Sequence, residues 1–201
     1  MKGLHALVLA AGAGSRFGGK KLLAPWRGGR LIDGALASAF AAPVEAVHVV
    51  TGYDAQAVSA AAIAFAADQA ETRMRIVEAP DHAEGMGASL RAGIAALPGN
   101  ATGVLVFLGD MPMVPDHVLE PLARALAHAP AAAPVFEGQR GHPVAISQSL
   151  FPQLMLIEGD HGARVLLKSL ETRVAEIASP TNGVLLDVDA PGDLDKLSAK
   201  D

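Results

Sequence analysis

An apolar run, Leu4 to Leu9, breaks at once into a loop carrying Gly12, Gly14, Gly18 and Gly19. The length of the run and its Val8 predict a buried strand. Glycine lets the following backbone take positive φ and lets a ligand come close. Arg16, Lys20 and Lys21 lie among these glycines. Free backbone N–H groups beside cations suit a polyphosphate. The plain alternative is a glycine-rich turn with solvated cations, and the loop by itself does not separate the two.

Two familiar phosphate loops can be tested against this stretch. A dinucleotide fingerprint, G-x-G-x-x-G, matches at Gly12 and Gly14 but meets Phe17 at its last position. A Walker A loop, G-x-x-x-x-G-K-[ST], matches at Gly14, Gly19 and Lys20, but Lys21 replaces the hydroxyl residue that would hold magnesium. If phosphates bind here, a metal ligand must come from elsewhere in the chain.

Further along, helical and strand patterns alternate. Helices are expected over 31–42, from a cap at Asp54 to about Ala67, over 85–97, and from a cap at Asp116 to about His128. Strands are expected over 44–50, 74–77 and 103–108. This alternation predicts a parallel sheet wrapped by helices, with ligands outside the carboxyl ends of the strands. The glycine loop and Asp110 both follow strands at that edge. A hairpin-like excursion follows over 131–146, then a helix over 165–170, strands over 174–177 and 184–188, and a terminal helix.

A chain of 201 residues suggests one domain, or at most two small ones, with a substantial core. The net charge of −5 argues against a nucleic-acid binder with a broad basic surface. The lack of cysteine excludes disulfides, a thiolate nucleophile and cysteine-ligated metal, and fits a reducing compartment. The most apolar stretch, 55–67, is too short to span a bilayer, and the first residues lack a convincing signal-peptide cleavage region. A soluble, cytoplasmic protein is expected.

Six stretches, in order, carry a resemblance. They are Leu9-Ala10-Ala11-Gly12 with Arg16-Phe17-Gly18 and Lys21-Leu22-Leu23; Glu84-Gly85-Met86-Gly87-Ala88-Ser89-Leu90-Arg91-Ala92-Gly93; and Gly109-Asp110-Met111-Pro112. The others are Gly141-His142-Pro143-Val144, Gly159-Asp160-His161-Gly162-Ala163-Arg164 and Asp187-Val188-Asp189-Ala190-Pro191. Across its whole length the chain resembles the MobA-like nucleotidyltransferases, and among them the molybdenum cofactor cytidylyltransferases. The resemblance implies a single domain over 1–201 with a Rossmann-like, three-layer α/β/α fold. It also implies transfer of a nucleoside monophosphate from a triphosphate to an acceptor phosphate, with magnesium and release of pyrophosphate. In that branch the substrates are CTP and molybdopterin. Ala11 resembles the cytidylyl type of loop, because the guanylyl type tends to have glycine there. Phe17 departs from the usual methionine, and Gly192 from a usual glutamate.

Attack of a phosphate oxygen on an α-phosphorus builds negative charge, so positioning and charge neutralisation dominate such catalysis. The loop N–H groups around Leu9, Ala10, Ala11 and Gly12 can hold the β- and γ-phosphates. Arg16 can bind phosphate oxygens as a fork. By the resemblance, Lys21 meets the α-phosphate, while Lys20 is read as solvated because neighbouring side chains rarely point the same way. Asp110 is either a turn aspartate or a magnesium ligand; the missing Walker hydroxyl and the resemblance favour magnesium. Asp189 is the natural second ligand, and Asp187, two residues away on the expected strand, is the reserve. Gly87 and Ser89 either approach the base or ribose or are merely small helix residues. The resemblance puts His142, Asp160, His161 and Arg164 near the acceptor. His5, His48, His82, His117 and His128 are read as surface or packing residues.

Four functions compete. They are a cytidylyltransferase acting on molybdopterin; the same chemistry with GTP or a sugar or alcohol phosphate; a non-catalytic nucleotide-binding partner that hands cofactor to a molybdoenzyme; and a P-loop phosphotransferase, which Lys21 disfavours.

Overall fold

A computed structural model describes residues 1–198. In chain order its strands are β1 (Leu4–Ala10), β2 (Pro25–Trp26), β3 (Gly29–Arg30), β4 (Ala46–Thr51), β5 (Met74–Glu78), β6 (Gly103–Leu108), β7 (Ala131–Phe136), β8 (Gln139–Arg140), β9 (Val144–Ser147) and β10 (Val174–Ala178). The helices are α1 (Leu31–Ala41), α2 (Ala55–Asp68), α3 (Met86–Ala95), α4 (Leu119–Ala125), α5 (Phe151–Leu154), α6 (Arg164–Leu170) and α7 (Pro191–Ser198).

One sheet runs β10-β7-β9-β6-β1-β4-β5, with β8 paired to β7. Its pairings are parallel except at β9, which is antiparallel to both neighbours, and at β8. β1 is buried throughout and lies between parallel β4 and β6. Such a strand needs apolar side chains on both faces, which is why it reads as a continuous run. Its even positions, Leu4, Ala6, Val8 and Ala10, pack with Ile32 and Leu36 of α1, Val58 of α2 and Leu122 of α4. Its odd positions Leu7 and Leu9 pack on the other face with Leu90 and Ile94 of α3 and Leu166 and Leu167 of α6. Helices therefore cover both faces of a mostly parallel sheet, as expected from the alternating pattern.

The excursion after β7 turns at Glu137 and Gly138, both with positive φ, and returns as β8. Two positive-φ residues match the right-handed twist of the strands they join. Elsewhere the structure differs from the expectation. Residues 184–188 are not a strand. Asn182–Leu185 is a 3-10 turn, and the segment bonds to loops: His142 N–H donates to the Val184 carbonyl at 2.8 Å and Val188 N–H to the Asp110 carbonyl at 3.1 Å. Gly183 seats this strap so tightly that a Cβ there would fall 2.0 Å from the Met113 carbonyl oxygen. Asp54 stands at the start of α2 but in the left-handed region, with no side-chain cap bond. The cap of the 116–118 turn is Pro115 rather than Asp116, and α4 ends at Ala125.

His5 of β1 and His48 of β4 form a buried pair, with His48 Nε2 3.3 Å from His5 Nδ1. Burial, followed by the neighbouring His5 and Arg75 charges, pushes His48 down from 6.5 to about 4. Burial also lowers His5, against the pull of Glu45. The unfolded chain therefore binds more protons than the folded one between these values, and stability is lost as pH falls through that window. The urea midpoint is expected to drop from about pH 7 to about pH 4.5, and to drop less in His48→Gln. An equal midpoint at both pH values in the wild type would contradict this account.

Candidate active site

β1 ends at Ala10, Ala11 is buried, and the chain then emerges at Gly12, where a side chain would meet open space. Gly14, Gly18, Gly19 and Lys20 all take positive φ. The N–H groups of Phe17, Gly18 and Gly19 bond back to carbonyls inside the loop. Among the described residues, the backbone N–H groups of residues 12–16 have no hydrogen-bond acceptor. A run of unpaired N–H groups in a turning loop is a concave anion site.

Lys21 opens a short 3-10 turn at the foot of this loop. Its Nζ lies 2.6 Å from Asp110 Oδ2 and 4.0 Å from Asp189 Oδ1. Only 12% of the Lys21 side chain is exposed, and 23% of that of Asp110. Arg16 Nη1 donates to Asp189 Oδ2 at 2.8 Å, in a pair that is largely exposed. An exposed pair of this kind contributes little stability. Apolar packing explains why it forms. Phe17 packs in a small cluster with Trp26 and Val188, and this brings their neighbours Arg16 and Asp189 together. Asp193 accepts the N–H groups of Asp189 and Ala190 at 3.1 and 2.9 Å, fixing the entry to α7. Among the described residues Lys20 forms no ion pair, so the two adjacent lysines differ in setting.

Asp187 lies close by. Burial raises its carboxyl pKa, the Asp110 and Asp189 charges raise it further, and its own N–H and Lys21 oppose. The expected strand would have put Asp187 and Asp189 on one face. The strap instead gives Asp189 to Arg16 and Lys21.

The donor set decides what metal could fit. Among the described residues no group of three or more His, Asp or Glu side chains is arranged to hold a metal. Asp110 and Asp189 supply two carboxylates around one ammonium. Magnesium commonly takes one or two carboxylates and completes its shell with phosphates and water. These residues fit a divalent ion that arrives with a polyphosphate, rather than a protein cage.

On the far side of β6, His142 N–H is tied to the strap and Nδ1 lies 3.4 Å from the Val106 carbonyl. Burial lowers its pKa most; the Val106 carbonyl and Asp110 oppose, and Arg164 adds to the lowering. The imidazole lies near both Asp110 and Arg164. Asp160 and His161 are exposed on a loop that covers the start of α3. Gly87 N–H donates to the Gly159 carbonyl at 2.9 Å. A Cβ on Gly85 would fall 2.5 Å from Gly159, and one on Gly87 2.8 Å from the Ile157 carbonyl. The space beside Gly87 is thus taken by the 157–159 backbone, and Ser89 is buried. Arg91 pins the same segment: its guanidinium donates to the Ile157 carbonyl and, at 3.1 Å, to Glu84. The sequence assigns no role to Arg91 and reads His82 as a surface or packing residue, yet Arg91 holds the 157–159 segment and His82 lies against Gly52 and Ala11. Arg91 stands in one of the quoted stretches, and His82 just past the end of β5.

A glycine loop, a half-buried lysine–aspartate pair and an acidic strap lie together at the carboxyl edge of the parallel strands. The chain belongs to the MobA-like NTP transferase domain family, whose profile matches residues 6–174. Purine catabolism protein PucB of Bacillus subtilis is 29% identical over 194 residues, covering 96% of this chain and 94% of that protein. The nicotine blue oxidoreductase of Paenarthrobacter nicotinovorans is 35% identical over 173 residues, covering 81% and 80%. The molybdenum cofactor cytidylyltransferase of Escherichia coli is 26% identical over 204 residues, covering 96% and 94%. Among solved structures, a homolog of Mycobacterium tuberculosis Rv0371c from Mycobacterium sp. strain JC1 superposes with a TM-score of 0.84 at 27% identity, covering 98% of this chain and 96% of that one. Rv0371c of M. tuberculosis in complex with manganese has a TM-score of 0.77 at 29% identity, covering 98% and 99%. No helix among the described residues is long and apolar enough to cross a membrane.

Proposed function

We propose that this chain transfers CMP from CTP to the terminal phosphate of molybdopterin, acting as a molybdenum cofactor cytidylyltransferase. The observation that carries the reading is Lys21, held 2.6 Å from Asp110 and packed through its Cβ against Gly14 of the loop with the unpaired N–H groups. An oxygen of the acceptor phosphate attacks the α-phosphorus. The bond from that phosphorus to the bridging oxygen of the β-phosphate breaks, and its electron pair leaves with pyrophosphate. The nucleophile is already an anion, so no general base is needed. N–H groups of residues 12–16 hold the β- and γ-phosphates, Arg16 adds a fork to their oxygens, and Lys21 neutralises charge on the α-phosphate. Asp110 and Asp189 would hold magnesium, which supplies Lewis-acid neutralisation of the triphosphate. His142, Asp160, His161 and Arg164 orient the acceptor, with Leu9, Ala10, Ala11, Gly12, Gly87 and Ser89 shaping the nucleotide side.

The same reading takes residues 1–201 as one nucleotidyltransferase domain working in the cytoplasm, with a molybdoenzyme as the client for its product. Neither nucleic acid nor membrane enters it. The test is pyrophosphate release with each of four NTPs, with and without molybdopterin. Release is expected only with molybdopterin and fastest with CTP. Equal or faster release with GTP would make the chain a guanylyltransferase. Release with a sugar or alcohol phosphate alone would move the acceptor, and no release with any pair would leave a nucleotide-binding maturation partner.

A further inference from the structure

Asp160 and His161 sit on the loop between α5 and α6, and Arg164 is the first residue of α6. The ends of this loop are fixed by apolar packing. Ile157 and Ala163 are buried in the cluster that also holds Leu90 and Ile94 of α3, while residues 158–161 are exposed. Exposed backbone between two such anchors depends on hydrogen bonds to keep one shape. Among the described residues, the hydrogen bonds that reach the backbone of residues 157–161 from outside the 151–170 stretch all come from α3.

Gly87 N–H, in the first turn of α3, donates to the Gly159 carbonyl at 2.9 Å, and the Arg91 guanidinium donates to the Ile157 carbonyl. Residues four apart share a helix face, and a long side chain leans back toward the helix N-terminus. Arg91 therefore comes level with Gly87 and takes the carbonyl two residues before the one that Gly87 holds. Glycine at 85 and 87 lets the segment lie this close, because a Cβ at either would meet the 157–159 backbone. The Arg91 side chain is only 24% exposed, so its charged donor acts where water competes weakly. Its partner Glu84 is 63% exposed, and a pair of that kind contributes little.

The inference drawn from this latch rests on the proposed function, which sets the acceptor against the same loop. We infer that Arg91 is a positioning residue for the acceptor, acting through the Ile157 carbonyl rather than on substrate. By holding that carbonyl it keeps Asp160, His161 and Arg164 in one arrangement before the acceptor arrives. A ligand that must first order its loop binds more weakly by the fraction of time the loop is out of place. Removing the latch therefore weakens acceptor binding. It spares the nucleotide, whose phosphates lie on the N–H groups of residues 12–16.

The experiment varies molybdopterin at saturating CTP and measures CTP affinity by calorimetry with manganese present, for wild type, Arg91→Ala, Arg91→Met, Arg91→Lys and Glu84→Gln. In Arg91→Ala and Arg91→Met the KM for molybdopterin is expected to rise about tenfold or more, while kcat stays within about threefold and CTP affinity within about twofold. Lysine keeps a cationic donor for the Ile157 carbonyl, so Arg91→Lys should recover most of the acceptor KM. Glu84→Gln should stay within about twofold of wild type in every parameter. Should Arg91→Ala fail to fold by circular dichroism, Arg91→Met, which keeps the apolar stem, decides alone. An unchanged molybdopterin KM in the folded variants, or a CTP affinity that falls by the same factor, overturns the role of Arg91 and leaves the proposed function standing. A wild type that shows no turnover with molybdopterin overturns the proposed function and this inference with it.

Discussion

Lys21→Ala is expected to lower turnover by roughly two or more orders of magnitude, comparable with removing an oxyanion donor. The side chain is mostly withdrawn from water, where a cation acts more strongly than at the surface. Among the described residues it is also the one cation paired with both Asp110 and Asp189. Removing it takes a positive charge from the transition state and leaves two carboxylates facing each other. Arg16→Ala should cost a similar factor, through lost contacts to phosphate rather than through its exposed pair with Asp189. Lys20→Ala is the control, since that lysine has no ion pair among the described residues and should change turnover by less than about threefold. Steady-state kinetics on the three variants decide it. Three equal losses would mean that the loop supplies only a diffuse positive field.

Asp110→Asn is expected to reduce metal-dependent turnover by roughly two or more orders of magnitude while the fold persists. The amide keeps the shape and loses the charge. Asp189→Asn should behave alike, with a metal titration shifted to higher concentration. Asp187→Asn should be milder, because the strap turns Asp189 rather than Asp187 toward Arg16 and Lys21. Magnesium and manganese titrations of each variant, with circular dichroism as folding control, measure this. An unchanged titration in Asp189→Asn would remove it from the metal site.

The parallel half of the fold is legible because its strands are buried on both faces. Leu4–Leu9, interrupted only by His5, and Gly103–Leu108 read as apolar runs, and the helices between them show caps or stops. Asp110 and Lys21 were legible because a strand end and a glycine loop each constrain a few residues locally. The strap was not. Val184-Leu185-Leu186-Asp187-Val188 has the composition of a strand, yet its hydrogen bonds go to His142 and Asp110 in loops far away in sequence. No local pattern records that. The packing of segment 157–159 on Gly85 and Gly87 is long-range in the same way, and so is the meeting of His82 with Ala11 across Gly52. Asp54 shows the converse failure: the residue type suits a cap, but its left-handed backbone leaves the side chain without a cap bond.

Everything proposed for the site depends on which phosphorus is attacked. CTP labelled separately at the α- and the γ-phosphorus, incubated with molybdopterin and magnesium, answers that directly. The account predicts α-label in the pterin product and γ-label in pyrophosphate. Label passing from the γ-position to the acceptor, with CDP left behind, would contradict it.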